Sequence, residues 1–151
     1  MNNKPMLNAY PDSLGGRLED IVNLLKTEDL QEVFSSFYIL PSLYHSDLDR
    51  GFSVIDYDLN EQLARREDLE QLKNMGIDLK LDFILNHASA QSPQFQDLVE
   101  KGEASAYRDF FIDWNRFWEG HGTMTEEGYI QPEESCLKQM FFRKPGLPIL
   151  M

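Results

Sequence analysis

The sequence has a single cysteine, three histidines, and no apolar run approaching the roughly 18 residues of a membrane-spanning helix. Each shortage excludes something. With Cys136 alone, no internal disulfide is available, and a reducing, cytoplasmic setting is expected. His45, His87 and His121 are far apart and have no cysteine at ligand spacing, so no zinc cluster and no metal is expected. Gly15-Gly16 fits neither the P-loop nor the dinucleotide fingerprint, and no nucleotide cofactor is expected. Basic residues are also scarce: 14 Lys and Arg against 26 Asp and Glu give a net charge of −12. That balance argues against nucleic acid or an anionic membrane as partner. Met1 to Tyr10 holds one lysine and no apolar stretch, so it does not read as a secretory signal.

What is present is the composition of a globular α/β domain. Apolar residues make up 42% of the 151, enough to furnish one sizeable core. Met6 to Tyr10 is a strand-like run closed by Pro11, after which Asp12 or Ser13 is placed to cap a helix. Leu14, Leu18, Ile21, Val22 and Leu25 recur at helical spacing, with Gly15-Gly16 marking a loop into the helix. Val33 to Leu40 is a second apolar run, stopped by Pro41. Tyr44 to Asp58 reads as a polar, turn-rich segment. Leu63, Leu69, Leu72 and Met75 mark a second amphipathic helix with Gly76 as its stop. Leu79 to Leu85 reads as a third strand whose apolarity suits burial on both faces. Strand, helix, strand, helix, strand predicts a parallel sheet.

After His87 the pattern changes. Ser92 and Pro93 open a short helix, and Ala104 to Phe111 is a second amphipathic piece. Asp113 to Met140 is irregular, so the region reads as an inserted subdomain, far longer than a plain loop of about 2–6 residues. The run FFRKPGLPILM ends at Met151, and the chain is expected to stop within a structure.

Two motifs carry chemistry. Asp82 to His87 (DFILNH) puts an acid inside an apolar strand and an Asn-His pair at its end. A carboxylate in that setting needs hydrogen-bond partners. The carboxyl ends of parallel strands are where such folds build ligand sites. His87 is thus a candidate sugar-binding or catalytic residue, the alternative being a satisfied loop histidine. Asp49-Arg50-Gly51-Phe52 offers a carboxylate, a guanidinium, a turn glycine and an aromatic face. That set suits a polyol, but taken alone Asp49 and Arg50 read first as a solvated turn pair. Trp114, Phe117 and Trp118 could stack on sugar, yet such a stripe is more often core.

Taken in order, YPDSLGG (Tyr10 to Gly16), ILP (Ile39 to Pro41), DRGF, DFILNH, QSPQFQD (Gln91 to Asp97) and RKPGLP (Arg143 to Pro148) resemble the sucrose phosphorylases. These are α-amylase-superfamily proteins of glycoside hydrolase family 13, with relatives acting on sucrose 6′-phosphate or glucosylglycerate. The resemblance runs from about Met6 to Leu150. It implies strands one to three of a (β/α)₈ TIM barrel in residues 1–87, and the loop after strand three with part of a B domain in residues 88–151. It further implies that Asp49 and His87 hold hydroxyls of a glucosyl unit, with Phe52 lining the pocket. Asp82, Asn86 and Arg50 are implied as structural neighbours. Residues Ser42 to Leu48 depart from the proline and small residues usual before DRGF, which leaves the acceptor open.

The family transfers the glucosyl group to phosphate by double displacement, with two carboxyls about 5–5.5 Å apart. The resemblance places nucleophile, acid/base and stabilising aspartate on later strands, so no catalytic residue is expected before Met151. The partners it implies are a small glucosyl sugar and inorganic phosphate, and the complete enzyme could be a homodimer. Two other readings stand beside this one: an α-glucoside hydrolase of the same superfamily, and a non-catalytic truncated α/β protein.

Overall fold

The computed structural model describes residues 4–137; the side chain of Asp49, and the motif RKPGLP with the terminal apolar run, lie outside the described residues. Three parallel strands form the central sheet: β1 (Met6–Ala9), β2 (Ser36–Ile39) and β5 (Asp78–Leu81), in the order β1-β2-β5. Helix α1 (Leu18–Leu25) joins the first two, and α2 (Arg66–Asn74) leads into the third. This is the βαβαβ order that the periodicity predicts.

Register explains the core. Leu7, Phe37 and Leu79 are paired across the sheet, as are Ala9, Ile39 and Leu81. Phe37 and Ile39 are buried with Leu18, Ile21, Val22 and Leu25 of α1 and Leu72 of α2. Each such side chain taken fully out of water stabilises the fold by about 1.5–3 kcal/mol. The alternate positions form a polar row, Asn8-Tyr38-Lys80, on the opposite face.

The structure differs from the sequence reading in several places. Helix α1 begins at Leu18, capped from within: the Asp20 carboxylate accepts the backbone N–H groups of Gly16 and Arg17 at 2.8 and 3.0 Å. Ser13 instead accepts the Tyr10 N–H, closing the loop after β1. A Cβ on Gly15 would lie 2.3 Å from Asp20 Cβ, so the glycine pair makes room for that cap. The segment Tyr44 to Asp58 is a β-hairpin, β3 (Tyr44–Leu48) and β4 (Ser53–Leu59), inserted between β2 and α2. Its alternating Val54, Asp56 and Asp58 masked the strand because only its first residues are buried.

Strand β5 ends at Leu81, short of the predicted Leu85. Phe83 and Leu85 are 65% and 77% exposed, so burial on both faces is not what their apolarity serves. Beyond it, α3 (Pro93–Lys101) is capped by Ser92, whose hydroxyl accepts the Phe95 N–H. Of the stretch Ala104 to Phe111, Ala104 ends a short 3-10 helix (Gly102–Ala104) and the rest is turn, with Ser105 buried and bonded to Asp97. Within the segment read as irregular, α4 (Trp114–Trp118), an antiparallel pair β6 (Gly122–Met124) and β7 (Ile130–Pro132), and α5 (Glu134–Leu137) are formed. Trp118 is buried and Phe117 exposed, which divides the aromatic stripe between core and surface. Among the described residues no helix is long and apolar enough to cross a membrane.

Candidate functional site

The predicted site residues gather at the carboxyl ends of β1, β2 and β5, on two sides of the hairpin. On one side, the turn after β3 carries Arg50 in a left-handed conformation (φ 50°, ψ 48°), which costs a non-glycine residue about 1–2 kcal/mol. Its guanidinium pairs with Asp12 at 2.5 Å and lies 4.0 Å from the centre of the Tyr10 ring. The stacking and the ion pair offset that cost and tie DRGF to the loop after β1. Gly51 has φ +101°, and a Cβ there would lie 1.8 Å from the Pro41 carbonyl oxygen. The turn glycine is therefore required by the close approach of ILP, the segment ending β2. Asp49 opens this turn, and Phe52, 37% exposed, closes it.

Beyond β5, Asp82 has the partner its position demands. Tyr38 Oη lies 2.8 and 2.7 Å from the two Asp82 carboxylate oxygens and donates to them. That bond, with desolvation and the negative charge, pushes the Tyr38 phenol above its ordinary 10.0. Lys80 sits 4.1 Å above the same ring. Further along, Asn86 Oδ1 is 3.0 Å from His87 Nδ1, while His87 Nε2 is shielded from solvent with no protein partner among the described residues.

Asn86 and His87 line a cavity of 400 Å³ with Phe83, Leu85, Phe110 and Phe111. The volume falls within the roughly 300–1,000 Å³ of small-molecule sites, with mainly apolar walls and a few polar groups. Tyr57, also on its wall, donates to the Ile84 carbonyl at 2.5 Å and packs edge-on against Phe83. No hydrogen bond or ring contact among the described residues joins Phe52 to His87. The turn and the cavity are thus two distinct features of the described structure.

Several contributors escaped sequence reasoning. Tyr10 and Asp12 were legible as residues directly after a parallel strand. Tyr38 was hidden inside a strand whose apolarity drew attention to packing, and Tyr57 inside a segment that reads as polar and turn-rich. Asp47 accepts from the Ser89 hydroxyl at 2.8 Å. Burial raises the Asp47 carboxyl, but the nearby Ser53 hydroxyl, the Ser89 hydrogen bond and backbone groups outweigh it and hold the group below the usual carboxylate range. His45 is paired with Asp56 at 2.8 Å across the hairpin, the structural use of a lone histidine.

The two carboxyls that shift among the described residues, Asp47 and Asp97, are both lowered. Asp12, Asp56 and Asp82 are each engaged as acceptors. No group of three metal-ligating side chains occurs among the described residues.

Comparison with known proteins agrees with this fold. Residues 17–143 match the alpha-amylase family, described as alpha amylase, catalytic domain. The chain is 56% identical to a sucrose 6(F)-phosphate phosphorylase of Ilumatobacter coccineus, over 98% of this chain and 28% of that protein. It is 38% identical to a sucrose phosphorylase of Streptococcus mutans, over 77% of this chain and 24% of that one. The crystal structure of sucrose 6F-phosphate phosphorylase from Thermoanaerobacter thermosaccharolyticum superposes with a TM-score of 0.79 at 33% identity, covering 96% of this chain and 27% of that chain. An isomaltulose synthase from Erwinia rhapontici shares the fold at a TM-score of 0.60 and 23% identity, over 72% of this chain and 21% of its own. The chain thus spans between about a fifth and a little over a quarter of the length of these relatives.

Proposed function

Since this chain belongs to the alpha-amylase catalytic-domain family, we propose that it forms the first part of a phosphorylase that moves an α-glucosyl group from a phosphorylated sucrose to inorganic phosphate. The 56% identity with a sucrose 6(F)-phosphate phosphorylase, maintained across 98% of the chain, carries this reading. In it, residues 1–87 supply the first barrel strands and residues 88–151 begin the inserted B domain. Asp49 and His87 hold glucosyl hydroxyls, and Phe52 lies against the sugar's apolar side. Asp82, Asn86 and Arg50 support them through the bonds described above. The lone cysteine favours a cytoplasmic setting.

In the reaction a carboxylate bonds to glucosyl C1 as the bond to the fructosyl oxygen breaks and that oxygen takes a proton from the acid. A phosphate oxygen, giving up its proton to the same group, then displaces the carboxylate, so that two inversions give net retention. Retention needs a nucleophile and an acid about 5–5.5 Å apart. This reading assigns both to strands beyond the three found here. The chain contributes ground-state recognition, and by itself is expected to show no turnover.

The test joins this chain to the part of the Ilumatobacter relative that it does not cover. Phosphate-dependent release of α-glucose 1-phosphate from sucrose 6F-phosphate, faster than from sucrose, is expected. Equal hydrolysis with and without phosphate would favour the hydrolase reading, and α-glucose 1-phosphate formed by the unjoined chain would sink the division of labour.

A further inference from the structure

The turn and the cavity are linked by one side-chain pair that neither motif contains. Asp47 stands on β3 two residues before Asp49, and Ser89 follows His87 by two. Ser89 is fully buried, and each of its polar groups is used. Its N–H donates to the Val54 carbonyl of β4 at 2.8 Å, and its hydroxyl donates to Asp47 Oδ2 at 2.8 Å. The same hydroxyl accepts the Gln91 N–H at 2.9 Å, and its carbonyl accepts the Ser92 N–H at 3.0 Å. A buried residue satisfied this completely fixes its segment, because every displacement breaks a bond with no solvent replacement.

We propose that Asp47 and Ser89 are a positioning pair, holding the turn that carries Asp49 and Phe52 in register with His87. The proposal rests on the sugar-binding roles given above to those three residues. Three observations support it. The turn side of the link is short and constrained, since Leu48 pairs with Ser53 and Gly51 is wedged against Pro41. The cavity side lies outside any strand from Asp82 to His87 and is held by Tyr38 at Asp82 and by Tyr57 at the Ile84 carbonyl; past His87, whose own hydrogen bond among the described residues is to Asn86, Ser89 ties it to β3. Lastly, the acceptor is a carboxylate held below the ordinary range, so the Ser89 bond is charge-assisted near neutral pH. Residues 47 and 89 touch no sugar in this scheme; they act through 49 and 87.

The experiment uses the 151-residue chain and reads no activity, so its outcome stands whether or not the phosphorylase reading holds. The ring ¹³C–¹H signals of His87 are assigned with a His87→Gln variant and followed by NMR. Asp47→Ala and Ser89→Ala are each expected to shift the His87 ring signals, and the double variant to shift them no further than either alone. In Asp47→Ala the Ser89 amide, whose own bond to Val54 is untouched, is expected to exchange at least about tenfold faster. Asp47→Asn and Ser89→Thr keep the acceptor oxygen and the hydroxyl, and are expected to leave the His87 signals at their parent positions. Unmoved signals in both alanine variants, or shifts that add in the double variant, would overturn the proposal. Where an alanine variant loses its dispersed amide spectrum, the conservative pair decides: parent-like His87 signals support the link, and displaced ones overturn it.

Discussion

Gly51 shows how one residue type can be dictated from two directions. Its φ of +101° excludes side chains on conformational grounds, and the Pro41 carbonyl 1.8 Å from a would-be Cβ excludes them sterically. Gly51→Ala is therefore expected to destabilise the chain by more than about 1 kcal/mol, read as a lowered urea midpoint at unchanged slope. Tyr38 makes a different kind of prediction. Hydrogen bonding to Asp82 raises its phenol above 10.0, so the folded state holds this proton more tightly than the unfolded state. The stability that results is fully present below the unfolded value near 10.0 and is lost as pH climbs through the higher folded value. Absorbance titration of the tyrosines is expected to show a late component that Tyr38→Phe removes. Asp82→Asn should move that component toward lower pH, since the acceptor loses its charge; a component unaffected by Asp82→Asn would mean that the carboxylate does not set it.

At the scale of elements, the start of α1 separates two explanations that the sequence alone could not. Ser13 has the residue type of a helix cap, but Asp20 makes the capping bonds, to Gly16 and Arg17. Asp20→Ala is expected to cost about 0.5–2 kcal/mol in thermal or urea unfolding, and Ser13→Ala clearly less. Reversed magnitudes would return the cap to Ser13. The helices and parallel strands were legible because their apolar positions recur at fixed periods and pack on one another, as Ile21 and Leu72 do on Phe37 and Ile39. The β3–β4 hairpin was not, because its outer half carries Asp56, Tyr57 and Asp58 on partly exposed positions, and alternation fades where burial does. Of the site, DRGF and DFILNH were readable as residue types at strand ends. The Asp47–Ser89 and Tyr38–Asp82 pairs span 42 and 44 residues, a separation at which no local pattern registers a contact.

On the scale of the whole molecule, the distribution of apolar surface sets the behaviour of the isolated chain. Phe83 and Leu85 stand 65% and 77% exposed just beyond β5, and Phe110, on the wall of the same cavity, is 66% exposed. Exposed large side chains scattered singly need no explanation, but three around one cavity beside a sheet edge form a patch that another apolar surface can cover. The net charge of −12 opposes close approach of two copies at low ionic strength, and salt screens that repulsion over about 10 Å at 0.1 M. Self-association of the chain is therefore expected to rise with salt as well as with concentration. If the patch drives it, Phe83→Ser with Leu85→Ser should lower the association seen by light scattering. Leu85 makes no contribution to the buried core, and the change in its unfolding free energy should stay within about 0.5 kcal/mol. Substituting Val99→Ser in α3, which is 65% exposed but lines no part of that cavity, is the control. Equal relief from Val99→Ser and from the double variant would show that general surface hydrophobicity, and not this patch, governs association.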